Sequence, residues 1–198
     1  MPKKIQARKS TIHGNGVFAL APLKKGERVI QYKGLLRSHA DVDADDTGDV
    51  ESGHTFLFTL NDDYVIDANY KGNDARWLNH SCDPNCEAVI EEAEGDNRRE
   101  DKVFIEAIKD IKPGDELTYN YGITLAERHT ARLKKIWECR CGSRNCTGTL
   151  LQPKTPKKAA SKAKKGGSKK AAGSKKAATG SKAGAKKTGA KKGARKAA

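Results

Sequence analysis

The stretch NHSCDPNC, residues 79–86, places an amide, an imidazole and two thiols within eight positions. Groups of these kinds bind metal ions, act as nucleophiles or shape irregular turns, so this stretch is the first candidate for a functional site. A nucleophilic cysteine beside His80 would need a base within hydrogen-bond reach and a third group that orients the base, and Asp83 is adjacent only in sequence. A metal site that includes the remaining cysteines is therefore the preferred interpretation.

The other three thiols lie close together in CRCGSRNC, residues 139–146, as Cys139, Cys141 and Cys146. Structural zinc sites have four ligands at the corners of a tetrahedron, and three thiolates leave one corner open. Both Cys82 and Cys86 are candidates for that corner, and the spacing alone does not choose between them. A site closed by four thiolates predicts a structural zinc rather than a catalytic one, which would keep a position for water.

Charge divides the chain into two parts. The 198 residues carry a net charge of +14, but the segment from Leu151 onward has 16 lysines, one arginine and no acidic residue, which is +17. The first 150 residues therefore hold 22 of the 39 basic residues and all 25 acidic ones, a net charge of −3. Residues 152–198 contain no large apolar side chain, so they are predicted to be a disordered basic tail. Such a tail suits sequence-independent contact with the phosphates of DNA.

Strand patterns dominate the first 150 residues. Short runs rich in β-branched and aromatic residues, separated by turn signals, predict strands at residues 28–32, 55–60, 64–67, 103–108 and 116–121. The polar stretches at 61–63 and 113–115 predict turns. The longest apolar run, VFALAPL, is far shorter than the roughly 20 residues that a membrane-spanning helix needs, so no membrane partner is expected.

Two helical segments are also predicted. A short helical turn is expected to begin at Asn73 or Asp74, just before the NHSC stretch. A longer helix is expected over 125–136, because Thr124 and Glu127 have the spacing of a capping box and apolar residues follow at helical intervals. The fold class predicted from these patterns is mainly β with short helices.

Five motifs follow one another in an order typical of one family: STIHGNGVFA (10–19), IQYKG (30–34), ARWLNHSCDPNC (75–86), PGDELTYNYG (113–122) and CRCGSRNC (139–146). Together they resemble the SET-domain protein lysine methyltransferases that carry a post-SET zinc segment, and the tail resembles the Lys/Ala-rich tails of histone-like proteins. The resemblance implies a SET-domain β-clip architecture with a pseudoknot, in which the NHSC segment threads a later loop, and a C-terminal zinc knuckle. It implies a SET domain over 5–122, a post-SET helix and zinc-binding segment over 123–151, and the disordered basic tail over 152–198.

The resemblance also implies two bound groups, S-adenosylmethionine and a structural zinc ion. The implied cofactor-binding residues are His13, Gly14, Asn15, Gly16, Asn79, His80 and Leu150, with Leu151 as the alternative to Leu150. The match to the family's Asn-His-Ser-Cys pattern favours Cys82 over Cys86 as the fourth zinc ligand. The implied zinc ligands are therefore Cys82, Cys139, Cys141 and Cys146.

Three tyrosines carry the implied catalysis. Tyr121 matches the family's tyrosine near the transferred methyl group, and Tyr32 matches a wall of the channel that admits the lysine. Tyr119 lies where family members have either Tyr or Phe. Because a hydroxyl at that position holds a water and crowds the pocket, it implies mainly mono-methylation with some di-methylation.

The implied function is S-adenosylmethionine-dependent N-methylation of a lysine in a basic protein, such as a histone or another DNA-associated protein. The alternative is a non-enzymatic, zinc-stabilised nucleoid or chromatin-binding protein with a degenerate SET domain, which the intact Tyr121, Asn79 and His80 disfavour. No secretory signal is visible, so an intracellular location is expected. The options are a bacterial cytoplasm or nucleoid, a host nucleus reached by a secreted effector, and a eukaryotic nucleus.

Overall fold

The computed structural model describes residues 3–45, 53, 55–125 and 127–154 and the backbone of 195–196. The chain divides into two units, one formed by Met1–Gln152 with Lys192–Ala198 and one formed by Pro153–Lys191. Most of the predicted disordered tail lies outside the described residues. No helix in the described part of the chain has the length and apolarity that crossing a bilayer requires.

Short strands make up most of the regular secondary structure in the described residues, which confirms the predicted mainly β fold. They are β1 (Ile5–Lys9), β2 (Asn15–Ala19), β3 (Arg28–Tyr32), β4 (Leu35–Ser38), β5 (Leu57–Thr59), β6 (Tyr64–Asp67), β7 (Asn79–His80), β8 (Cys86–Glu91), β9 (Lys102–Ala107), β10 (Glu116–Tyr119), β11 (Ile123–Thr124) and β12 (Arg195–Lys196). The helices are α1 (His39–Ala44), α2 (Ala131–Ile136) and the 3₁₀ helices Asp74–Trp77 and Arg98–Glu100. The short helical turn predicted at Asn73 or Asp74 is thus confirmed, with Asn73 as its N-cap.

The strands form several small sheets rather than one large one. Their orders are β1-β2-β10-β7, β3-β9-β8, β4-β6-β5 and β11-β12. In the first sheet, β7 runs parallel to β10, with Asn79 opposite Thr118 and His80 opposite Tyr119. Because a parallel pair cannot be joined by a tight turn, this pairing brings together two segments far apart in the chain.

The side chain of Asn85 strengthens this crossing. Its Nδ2 donates to the carbonyl of Glu116 at 2.8 Å, and its Oδ1 accepts from the backbone N–H of Thr118 at 2.8 Å. Its own carbonyl accepts from the N–H of Ile108 at 2.9 Å. Asn85 therefore occupies the place of a strand residue beside β10 and holds the loop after β7 against that strand.

Two apolar clusters stabilise the described structure. The larger one contains fully buried residues of β2, β5, β9 and β10, including Val17, Phe58, Ile105 and Leu117. The smaller one comprises Ile123, Leu125, Leu133, Trp137 and Leu151. Tyr121 packs against both clusters, so it lies where the NHSC crossing meets the C-terminal segment, residues 123–151.

The predicted helix over 125–136 is wrong in its first half. The helix begins at Ala131, and its N-cap is Thr130, whose hydroxyl accepts from the N–H of Leu133 at 3.2 Å. Thr124 is extended in β11 instead of capping a helix. Ile123 forms a bridge with Leu151, so tertiary hydrogen bonding overrides the local capping signal.

We expect Asn85→Ala to lower the free energy of unfolding by about 1–3 kcal/mol, because it leaves the Glu116 carbonyl and the Thr118 N–H without their partner. Urea unfolding followed by far-UV circular dichroism measures this change. Asn97→Ala is the matched control, since the hydrogen bonds of Asn97 lie on an exposed turn where water can replace them. Equal stability of the two variants would show that the Asn85 bridge does not support the crossing.

Candidate functional site

A cavity of about 270 Å³ lies where the glycine turn (residues 13–16), the NHSC segment (79–82) and the C-terminal segment meet. Seven of the ten predicted cofactor-binding and catalytic residues line it: His13, Gly14, Asn15, Asn79, His80, Tyr121 and Leu150. Its volume lies just below the range of about 300–1,000 Å³ that is usual for small-molecule sites. Gly16, Tyr32 and Tyr119 are the three of these ten residues that do not line it.

The glycine turn, which leads into β2, has two positions that require glycine. Gly14 has φ of +50°, a left-handed conformation that side chains disfavour. Gly16 lies against Glu116, and a Cβ there would overlap the Glu116 carboxylate. Gly16 thus acts from behind the cavity, because its missing side chain makes room for that carboxylate.

Glu116 connects the glycine turn to the NHSC segment. Its carboxylate accepts from the Ser10 hydroxyl and from Nδ2 of Asn79, both at 2.8 Å. The same Nδ2 also donates to the carbonyls of Asn15 at 2.9 Å and His13 at 3.2 Å. With three oxygens around Nδ2, the amide orientation of Asn79 is fixed, and Oδ1 is the atom that can accept a hydrogen bond from a ligand.

Tyr121 is held at both its backbone and its hydroxyl. The hydroxyl donates to the carbonyl of Leu78 at 2.6 Å, and the backbone N–H donates to Nδ1 of His80 at 3.1 Å. Burial, together with the nearby Glu116 carboxylate, raises the pKa of Tyr121. The phenol is therefore neutral at physiological pH and offers a fixed dipole at the wall of the cavity.

The other two predicted tyrosines lie behind Tyr121 in the core. The ring centroid of Tyr119 is 4.9 Å from that of Tyr121 and 6.5 Å from that of Phe58. Tyr32 packs on Phe58 at 5.2 Å, and its hydroxyl donates to the carbonyl of Phe56 at 3.0 Å. Each is 1% exposed, and burial raises the pKa of both phenols. Together these rings form an apolar wall with neutral hydroxyls.

Four thiols meet next to the cavity. The Sγ atoms of Cys82, Cys139, Cys141 and Cys146 all lie within 4.8 Å of one another. The Cys82 and Cys139 sulfurs are 3.8 Å apart, and a zinc tetrathiolate with bonds of about 2.3 Å needs sulfurs about 3.8 Å apart. The residues therefore fit a structural zinc ion.

Position and burial distinguish the cluster from the fifth cysteine. Within the cluster, burial raises the pKa of Cys139. Burial on its own would also raise the pKa of Cys141, but hydrogen bonds from the backbone of Cys82 and from Ser143 lower it to about 6. Cys86 is fully buried in the main core, and burial raises its pKa to about 12. The group of neighbouring sulfurs includes Cys82 and not Cys86, so the geometry favours Cys82 as the fourth ligand, and Cys86 packs as a small apolar side chain.

Several cavity residues were not predicted from the sequence. Trp137 and Ile136, at the end of α2, line the cavity, as do Phe56 and Arg76. The guanidinium of Arg76 lies 4.5 Å from the centroid of the Trp77 ring and donates to the carbonyl of Ala68 at 3.2 Å. Aromatic and basic residues close to the motifs could have been proposed as cavity residues from the sequence. Only the folded structure shows which of them line the cavity.

Comparisons with known proteins identify relatives of this chain. A protein-family model described as SET domain matches residues 14–122. The chain is 36% identical over 153 residues to a Candida albicans protein named histone-lysine N-methyltransferase, H3 lysine-4 specific, and 37% identical over 150 residues to the human histone-lysine N-methyltransferase SETD1B. Each alignment covers 75% of this chain, which spans only 14% and 7% of the length of those relatives.

Chains in solved structures are also similar to this chain. A chain in the crystal structure of an active polycomb repressive complex 2 in the basal state matches with a TM-score of 0.53 and 35% identity. The match covers 61% of this chain and 15% of that one. A humanized mutant of the Chaetomium thermophilum complex, bound to the inhibitor GSK126, matches with a TM-score of 0.52 and 35% identity, over 62% of this chain and 15% of that one.

We expect Cys82→Ser to weaken zinc binding by more than about 100-fold, because loss of a ligand exceeds the 10- to 100-fold effect typical of residues around the ligands. Competition with a chromogenic chelator measures the affinity. Cys86→Ala is the matched control and should bind zinc as the wild-type chain does, even where its core is less stable. Loss of zinc affinity in Cys86→Ala rather than in Cys82→Ser would contradict the assignment of the fourth ligand.

Proposed function

The chain belongs to the SET-domain family, and from this membership we propose that it is a protein-lysine N-methyltransferase that uses S-adenosylmethionine. The observation that carries the proposal is the position of Tyr121, whose hydroxyl is fixed on the Leu78 carbonyl. The cavity that Tyr121 lines is also lined by the glycine turn and by Asn79. A methyl donor and a neutral phenol can therefore meet in one site.

The cavity residues fit the parts of S-adenosylmethionine. His13 and Gly14 are exposed and Asn15 is half-buried at the glycine turn, so this backbone can approach the cofactor, and Oδ1 of Asn79 can accept from the ammonium of the methionine part. The backbone of His80 and the apolar side chain of Leu150 suit the adenine part. When bound, the cofactor supplies a methyl group on a positively charged sulfur. In this proposal Gly16 acts indirectly, by admitting the Glu116 carboxylate that orients Asn79.

The residues of this chain favour a neutral lysine as the methyl acceptor. A lysine ammonium has a pKa of about 10.4, so its deprotonation near pH 7.5 costs about 4 kcal/mol. An apolar channel lowers that pKa, because burial disfavours the charged form. The buried rings of Tyr32, Phe58 and Tyr119 provide an apolar environment behind Tyr121, and the raised pKa values of the two tyrosines mean that their phenols add no negative charge to stabilise the ammonium.

Zinc has a structural role in this proposal. It would be held by the four clustered thiolates and would fasten the C-terminal segment to the NHSC segment at Cys82. The carbonyl of Trp137 accepts from the N–H of Leu150 at 2.8 Å, so this segment places both residues at the cavity. The zinc ion would therefore complete the cofactor site without taking part in methyl transfer.

The proposed substrate is a histone or a histone-like basic protein. The names of the relatives support this class, and the first 150 residues carry a net charge of −3, which suits a basic partner. We further propose that the tail, with its charge of +17, binds DNA without sequence preference and brings the enzyme to DNA-bound substrates. The matching location is chromatin in a nucleus, or a bacterial nucleoid.

We expect the purified chain to transfer labelled methyl groups to histones, and Tyr121→Phe to lower kcat by about 100- to 1,000-fold, because it removes a preorganised hydroxyl from a water-poor site. Mass spectrometry of the histones measures the product. Calorimetry should show that Tyr121→Phe still binds S-adenosylmethionine. Absence of transfer by the wild-type chain to any histone or histone-like protein would favour the non-enzymatic alternative.

We expect Tyr119→Phe to raise the share of di- and tri-methylated product, because it removes the hydroxyl that crowds the space behind Tyr121. The product distribution is read by mass spectrometry at equal substrate conversion. Tyr64→Phe is the matched control, since the hydroxyl of Tyr64 contacts Arg99 on the surface. An unchanged product distribution in Tyr119→Phe would remove the basis for the proposed mono-methylation.

A further inference from the structure

The end of the chain returns to the edge of the candidate site. Arg195 and Lys196 form β12, which pairs antiparallel with β11 so that Lys196 lies opposite Ile123 and Arg195 opposite Thr124. Cα atoms of β12 also lie within 8 Å of those of β5. Two residues of the basic tail are therefore placed as a strand beside two elements of the folded domain.

Both elements flank the tyrosine site. Ile123 in β11 follows Tyr121 with only Gly122 between them. β5 begins directly after Phe56, whose carbonyl accepts from the Tyr32 hydroxyl, and it contains Phe58, whose ring lies 6.5 Å from that of Tyr119. The backbone of Lys196 thus runs next to the strand that follows the proposed catalytic tyrosine, in a site proposed to act on lysine.

The other end of the tail is fixed at the same strand. Leu151 forms a parallel bridge with Ile123, and the N–H of Gln152 donates to the Ile123 carbonyl at 2.8 Å. The sequence between Gln152 and Arg195 has 42 residues, and joining two groups within one chain raises their effective concentration, up to the order of millimolar. The tether therefore favours contact of Lys196 with its own domain over contact with another chain.

We propose that Lys196 is a methyl acceptor for the site of its own chain. This inference rests on the proposed function. The lone pair of the neutral Lys196 amine forms a bond to the methyl carbon of S-adenosylmethionine. The carbon–sulfur bond breaks, its electron pair stays on sulfur to give the thioether, and the nitrogen takes the positive charge as a methylammonium. The proton that the Lys196 ammonium loses before the transfer passes to water.

The first test identifies the site of methylation. The full-length chain is incubated with S-adenosylmethionine and analysed by intact-mass and fragmentation mass spectrometry. Lys196 should be methylated at least about tenfold faster than any other tail lysine, because only a positioned lysine gains from the tether and the strand. Lys196→Arg should lose this incorporation, whereas Lys192→Arg, the matched control, should keep it. Equal methylation of all tail lysines would overturn the inference.

The second test separates transfer within one chain from transfer between chains. A ¹⁵N-labelled wild-type chain is mixed with an unlabelled Tyr121→Phe chain, which retains Lys196. Methylation should appear on Lys196 of the labelled chain only, and its first-order rate should not change when the mixture is diluted about tenfold. Methylation of the unlabelled chain at a comparable rate, or a rate that falls in proportion to dilution, would contradict transfer within one chain.

The outcome for Lys196 is distinguishable from the outcome for the proposed function. Methylation of histones by a chain whose Lys196 stays unmodified would overturn this inference and leave the proposed function standing. A wild-type chain that methylates neither histones nor itself would overturn both.

Discussion

The parallel pairing of Asn79–His80 with Thr118–Tyr119 is the constraint on which the fold and the candidate site both depend. It joins two segments that are far apart in the chain, and Asn85 extends it by bonding to both sides of Leu117 in β10. The pairing places Asn79 under the glycine turn, where Glu116 and the turn carbonyls surround its Nδ2. Two residues beyond β10, the same pairing brings Tyr121 to the ring of His80.

His80 extends this constraint to the thiol cluster. Nδ1 of His80 accepts from the N–H of Tyr121, so in a neutral ring Nε2 carries the proton, and Nε2 lies 3.5 Å from the sulfur of Cys82. A hydrogen bond from this N–H to a metal-bound thiolate would be charge-assisted and would fix the ring. One imidazole thus connects the proposed zinc site to the backbone of the proposed catalytic tyrosine. The cost of burying Asn79, His80 and Ser81 is offset by such bonds, because buried polar groups are tolerated when they are paired.

The sequence was sufficient to predict some strands and helices but not others. β3 and β6 were predicted to the residue, because β-branched and aromatic side chains fill them and turns bound them. β7 was missed because it is two polar residues long and exists only through its partner β10. β1 was missed because Ile5 is its one buried residue, so it shows no alternating pattern. The helix was placed six residues too early because the capping signal at Thr124 is local, whereas the bridge from Ile123 to Leu151 is not.

The residues of the candidate site were likewise predicted only in part. The motifs indicated which side chains could bind a cofactor or a metal. The contacts of those side chains depend on segments that are far apart in the chain, so Glu116 and Trp137 were not predicted from the sequence.

The two proposed roles of the tail differ in how strongly they depend on single residues. The proposed contact with phosphates would be distributed over many equivalent lysines, and any one of them would be replaceable. Strand pairing at β11 instead selects Arg195 and Lys196 by their position. Because methylation keeps the positive charge of lysine, modification at Lys196 would leave the attraction of the tail for a polyanion intact. The two proposed roles of the tail are therefore physically compatible.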